Sequence, residues 1–177
     1  MTSSLLIRVH ELLTTADMPH ALIGAAALAV HGVSRSTFDQ DILVTDTRAL
    51  TSLIWTPISD HARVDIRRGD ADDPLAGVIR LSPDGERDVD VVVGRHTWQR
   101  AVIDEAETLQ QSPASIPVAS AVGLVLLKLY AGGPQDLWDI EQLRAIGGSA
   151  LDAAVSSRIE PLPASARETW TRLTSSR

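Results

Sequence analysis

The pattern of apolar residues changes once along this chain, and that change restricts the fold more than any single motif does. Between residues 21 and 93 the apolar residues come in short extended runs, at 21–23, 38–44, 63–66, 77–81 and 88–93, each bounded by turn-forming or polar residues. Runs this short, several of them alternating apolar with polar, fit strands of a sheet and are too brief for buried helices. Pro83, Asp84, Gly85 and Glu86 between the last two read as a hairpin turn. Helical spacing appears at 5–16, again after Gly24 up to Gly32, and near Thr47. Beyond Gly94 only helical patterns remain: one at 96–109, one capped by Ser120 and stopped by Gly132 and Gly133, and one from Pro134 to Gly147 and Gly148. Strands mixed with helices, then helices alone, predict an α+β fold with a small mixed β-sheet flanked by helices and a helical C-terminal part. The expected division is 1–112 for the core with the sheet and 113–177 for the helical part, packed on the same domain, and 177 residues suit one such unit.

Composition excludes several classes of function. There is no cysteine, hence no disulfide framework, thiolate metal site or thiol nucleophile, and the expected compartment is the reducing cytoplasm. No apolar run approaches the ~20 residues of a membrane span, so no membrane partner is expected. With 23 acidic against 16 basic residues the net charge is -7, which disfavours a protein held on nucleic acid by bulk electrostatics. Four Trp, one Tyr and one Phe offer little for a base-stacking platform.

Chemistry gathers on two of the predicted strands. A period of two places Asp39 and Asp41 on one face of the first, and Asp88 and Asp90 on one face of the other. Were these strands neighbours, their carboxylates would converge and repel unless a cation joined them, and hard oxygen ligands suit Mg²⁺ or Mn²⁺. A solvated strand face is the plainer alternative, and Asp65 rivals Asp90 as third carboxylate. The chain writes fifteen of its sixteen basic residues as Arg; the exception, Lys128, lies in an apolar helix. It is either a stem lying on the core with its head in water or a compact charge aimed at phosphate. His31 and Trp138 read as packing residues.

The string IGAAALAVHGVSRSTFDQDILV, with its glycine turn about a dozen residues before AspXAsp, resembles the first motif of nucleotidyltransferases of the DNA polymerase β superfamily. The HisGly, ArgXThr and AspXAsp spelling is most similar to AbiEii/AbiGii-type toxin nucleotidyltransferases; VDVVVG resembles their third-carboxylate strand and LLKLYAGGPQDLWDI their later lysine motif. The resemblance implies the nucleotidyltransferase fold and a cation-dependent transfer of a nucleoside monophosphate from an NTP to a hydroxyl on RNA (tRNA) or protein. Toxin–antitoxin or defence roles, and a cognate antitoxin partner, are implied in the same way. It assigns Asp39, Asp41 and Asp90 to the cations, with Asp90 drawing the acceptor proton. It assigns Gly24, Ala25, Arg35, Thr37, Lys128, Asp136 and Asp139 to the nucleotide. Ala25 stands where the family has a second Gly or a Ser. The alternative is a catalytically weak nucleotidyltransferase-fold protein that binds a nucleotide or a partner. A metal-dependent phosphohydrolase or sugar transferase would explain the aspartates but not the glycine turn before them.

Overall fold

The computed structural model describes residues 4–35, 40–110 and 112–175. The chain opens with α1 (Leu5–Thr15), whose Leu5, Leu6, Val9 and Leu13 form the buried stripe. Strand β1 (His20–Ile23) runs straight into α2 (Gly24–Val30), a helix of small residues, and β2 (Gln40–Val44) follows. Then come β3 (Ala62–Arg68), β4 (Gly77–Pro83) and β5 (Val89–Val93). The rest is helical: α3 (Thr97–Asp104), α4 (Ala121–Ala131), α5 (Pro134–Ser156) and α6 (Ala164–Ser175). The fold is α+β.

The five strands form one mixed sheet in the order β1-β2-β5-β4-β3. β1 is antiparallel to β2, β2 parallel to β5, and β5, β4 and β3 are antiparallel in turn. One face is largely apolar: Ile42, Val44, Val89, Val91, Val93, Ile79 and Leu81 have no exposed surface, and His20, Gln40 and Arg68 share that face only at strand ends. By alternation, the opposite face carries Asp41, Leu43, Asp90, Val92 and Arg80. The apolar core is one cluster that extends from Leu5 in α1 to Trp170 in α6. α4 is apolar around most of its circumference and packs against α2, α5 and α6, as a helix buried on several sides must. Ser120 caps it, its hydroxyl accepting the Gly123 N–H at 3.1 Å, and Gly132 at φ +71° ends it in the left-handed conformation.

Three helix boundaries differ from the sequence expectation. The segment near Thr47 forms two 3-10 turns, 47–50 and 52–55, separated by the extended Thr51. The helix expected over 96–109 ends at Asp104, because Glu107 and Val118 exchange backbone hydrogen bonds of 3.1 and 2.9 Å that draw the chain into a bridge. The helix expected to stop at Gly147 and Gly148 instead resumes beyond Gly148, whose φ of +60° and ψ of -152° break it. Arg144 and Asp152 span that break with two hydrogen bonds of 2.8 and 2.9 Å.

Candidate active site

The glycine turn and Asp41, the described member of the AspXAsp pair, are in direct contact. Ile23, the last residue of β1, is opposite Asp41 in the sheet, and Gly24 then turns away at φ +64°. A β-carbon on Gly24 would lie 2.0 Å from Asp41 Oδ2, so only glycine leaves room for this carboxylate. On its other side Asp41 is in register with Asp90 across the parallel β2–β5 pair, one strand spacing of about 4.8 Å away. Asp88 precedes β5 and is exposed. Asp65 lies on β3, with β4 and β5 between it and Asp41, and so is not a neighbour of Asp41. Thr37 and Asp39 lie outside the described residues.

A cavity of about 330 Å³ opens beside this pair, lined by Gly24, Asp41, Lys128 and Asp136 together with the apolar side chains of Leu124, Leu127 and Val92. The buried Gln99 closes part of it, its side-chain oxygen accepting the Arg95 and His96 N–H groups at 2.8 and 2.9 Å. Tyr130 is fixed at the rim by His96 Nε2, 2.9 Å from its hydroxyl, and donates to the Pro74 carbonyl at 3.2 Å. An adjoining groove of about 440 Å³ shares Pro74, Leu75 and Val92 with the cavity and is lined by Asp90, Arg80 and Asp65. Asp41 therefore faces one space and Asp90 the next.

Lys128 points into the first space, and its counter-charge comes from α5. Its ammonium lies 2.8 Å from Asp136 Oδ1 and 2.8 Å from Asp139 Oδ2, both on α5. Asp136 also caps α5, accepting the Gly133 N–H at 3.0 Å. Asp139 is fully buried and holds a second cation, Arg35, at 3.0 Å, while its Oδ1 has no hydrogen-bond partner. Arg35, expected to clamp phosphate, is thus tied to α5 behind Lys128 and does not line the cavity. Ala25 does not line it either, since its methyl is buried in the core. His31 Nε2 bonds the Ala119 carbonyl at 2.8 Å, a packing contact, whereas Trp138, expected in the core, is 42% exposed.

Sequence reasoning missed Arg80. In β4 it stands opposite Asp90, and its Nε and Nη2 donate to both carboxylate oxygens at 2.9 and 2.6 Å. On its other side it is in register with Asp65. The signal was present in the alternation of GVIRL, where Arg80 is the one charged residue, but the strand order that brings it to Asp90 is not written in any local pattern. Asp41 and Asp90 are hard oxygen donors of the kind that Mg²⁺ or Mn²⁺ takes. Among the described residues no group of three or more metal-ligating side chains is assembled.

The sequence matches no family model and no curated protein. Solved structures do match. The antibiotic-resistance factor ANT(2'')-Ia is 17% identical over 96% of this chain and 93% of its own, with a TM-score of 0.53. An antigenic nucleotidyltransferase-like protein from Paracoccidioides brasiliensis is 16% identical over 94% and 90%, with a TM-score of 0.52. The lincosamide antibiotic adenylyltransferase LnuA, bound to lincomycin, is 14% identical over 82% and 98%, with a TM-score of 0.53.

Proposed function

The chain has the nucleotidyltransferase fold, and we propose that it is a cation-dependent nucleotidyltransferase moving a nucleoside monophosphate from an NTP to a hydroxyl acceptor. The observation that carries this reading is the register of Asp41 with Asp90, with Gly24 fitted against Asp41 and Lys128 facing the same cavity. Asp41, Asp90 and Asp39 would hold Mg²⁺ or Mn²⁺, whose contribution is to neutralise the charge that develops on the transferring phosphoryl group. The cavity offers the donor both things it needs. Lys128 presents a compact positive charge to the triphosphate, and Leu124 and Leu127 give an apolar wall to the base. Asp136 and Asp139 hold the ammonium in place, so its orientation does not depend on the nucleotide. Asp90, in the adjoining groove, is positioned to take the proton of an acceptor hydroxyl arriving there.

The acceptor is inferred to be RNA or protein from the AbiEii-like spelling of the motifs, which also suggests a toxin partnered by an antitoxin in the cytoplasm. Two of the similar structures are named for antibiotics, so a drug hydroxyl belongs in the same test. A second reading, a binding protein of weak activity, draws on one observation: Arg80 occupies both oxygens of Asp90. Incubation with each of the α-labelled NTPs, Mg²⁺ and total tRNA, cell lysate or a panel of antibiotics that includes lincosamides decides between them. Label on one acceptor that disappears with Asp41→Asn supports the transferase. Nucleotide bound but never transferred supports the binding protein.

A further inference from the structure

Four charged residues form one continuous row across the sheet: Asp41 on β2, Asp90 on β5, Arg80 on β4 and Asp65 on β3, each in register with the next. Arg80 thus stands between two carboxylates, and of these two it bonds Asp90. Its fork closes on Asp90, whose side chain is 20% exposed. Asp65 is held instead by a single contact from Arg67 Nε at 3.2 Å, and the Arg67 side chain is 78% exposed. An ion pair so open to water contributes little and is easily exchanged.

A guanidinium and a divalent ion compete for the single negative charge of Asp90. The fork takes one hydrogen bond to each oxygen, and a cation arriving between Asp41 and Asp90 would meet a fixed positive charge one strand away. The row contains its own remedy, since Asp65 lies one strand spacing, about 4.8 Å, on the far side of Arg80.

We propose that Arg80 is the positioning residue that governs cation loading: it holds Asp90 in the cation-free protein and transfers to Asp65 when a divalent ion binds between Asp41 and Asp90. This rests on the nucleotidyltransferase reading but makes a claim of opposite sign to the usual one for a residue supporting a metal ligand. An arginine that merely orients Asp90 strengthens metal binding, and its loss weakens it. An arginine that competes for Asp90 weakens metal binding, and its loss strengthens it.

Mn²⁺ binding to the full chain, followed by the electron paramagnetic resonance of the free ion, separates the two without recourse to activity. Arg80→Met is expected to bind Mn²⁺ about fivefold more tightly than wild type, the equivalent of releasing one half-exposed ion pair. Arg80→Lys, with no fork, falls between them. Asp65→Asn, which leaves Asp90 and Arg80 in place but removes the second acceptor, binds more weakly than wild type. Arg80 and Asp65 are both open to solvent, and coincident melting curves verify that the variants are folded. Unchanged or weaker binding by Arg80→Met overturns the role of Arg80 and leaves the transferase reading standing. Absence of Mn²⁺ binding from every variant, with or without NTP, removes both.

Discussion

Gly24 and Asp41 fit together as a surface and its imprint: the carboxylate oxygen occupies the space where any other residue at position 24 would carry its β-carbon, 2.0 Å away. The glycine is therefore required twice, once for its φ of +64° and once for the volume it leaves empty. Gly24→Ala should lose about 1 kcal/mol or more of stability through backbone strain. Nucleotide transfer should fall much further, because Asp41 must move. A variant that melts slightly early yet transfers normally would separate Asp41 from the chemistry.

Asp41→Asn is expected to abolish transfer while leaving the melting temperature, measured without divalent ions, unchanged or raised. A neutral amide cannot balance a divalent ion, and the change also removes repulsion from Asp90. Unfolding of Asp41→Asn would make the aspartate a structural residue.

Lys128 is more deeply committed to the fold than its place in an apolar helix indicates. Removing its charge leaves the fully buried Asp139 with Arg35 alone and one oxygen already unpartnered. Lys128→Met should therefore destabilise the protein by about 3 kcal/mol, the usual result of breaking a buried pair from one side. Combining it with Asp139→Asn should recover much of that loss, and denaturant midpoints of the single and double variants measure the recovery. Activity should stay absent in both.

His10 and His20 join α1 to β1 through ring nitrogens 2.8 Å apart, and His20 also meets the Met18 carbonyl at 2.8 Å. Burial holds the His20 pKa below its ordinary 6.5; the Met18 carbonyl opposes this and the charge of His10 adds to it. The unfolded chain then binds the proton more readily than the folded one, so stability is complete above pH 6.5 and declines as pH falls below it. Urea midpoints at pH 7.5 and 5.5 should show the decline, and His10→Gln should lessen it. Equal midpoints in the wild type would contradict this account.

Arg144 ties three pieces of the C-terminal part together. It spans the break at Gly148 to reach Asp152, donates to the Leu173 carbonyl at 2.8 Å, and lies 5.4 Å from the Trp170 ring centre. Arg144→Met should release α6 from α5 with a loss of about 3 kcal/mol. Hydrogen exchange should then accelerate in α6 before it does in the sheet.

The fold class was legible in the sequence because strand and helix leave different periods, and the strands near 21–23, 77–81 and 88–93 stand within a residue or two of their expected positions. Gly24, Asp41 and Lys128 could be singled out for a similar reason: each breaks a local rule, as a left-handed turn, a charge on a strand or the only lysine. What local pattern could not supply was the partner. Lys128 is neutralised by α5 and Asp90 by Arg80, and both pairings depend on how elements remote in sequence are laid side by side. Trp138 shows the same limit, since its size argued for the core while the helix turned it outward.

The parallel pairing of β2 with β5 also has a kinetic consequence. Parallel neighbours cannot be joined by a hairpin, and here the connection from β2 to β5 contains β3 and β4, with β5 seated between β4 and β2. Closing so large a loop is entropically slow. Asp41 and Asp90 are therefore expected to meet late in the assembly of the sheet, when that long loop closes. Activity during refolding should appear with a single delay, matching the slowest structural phase.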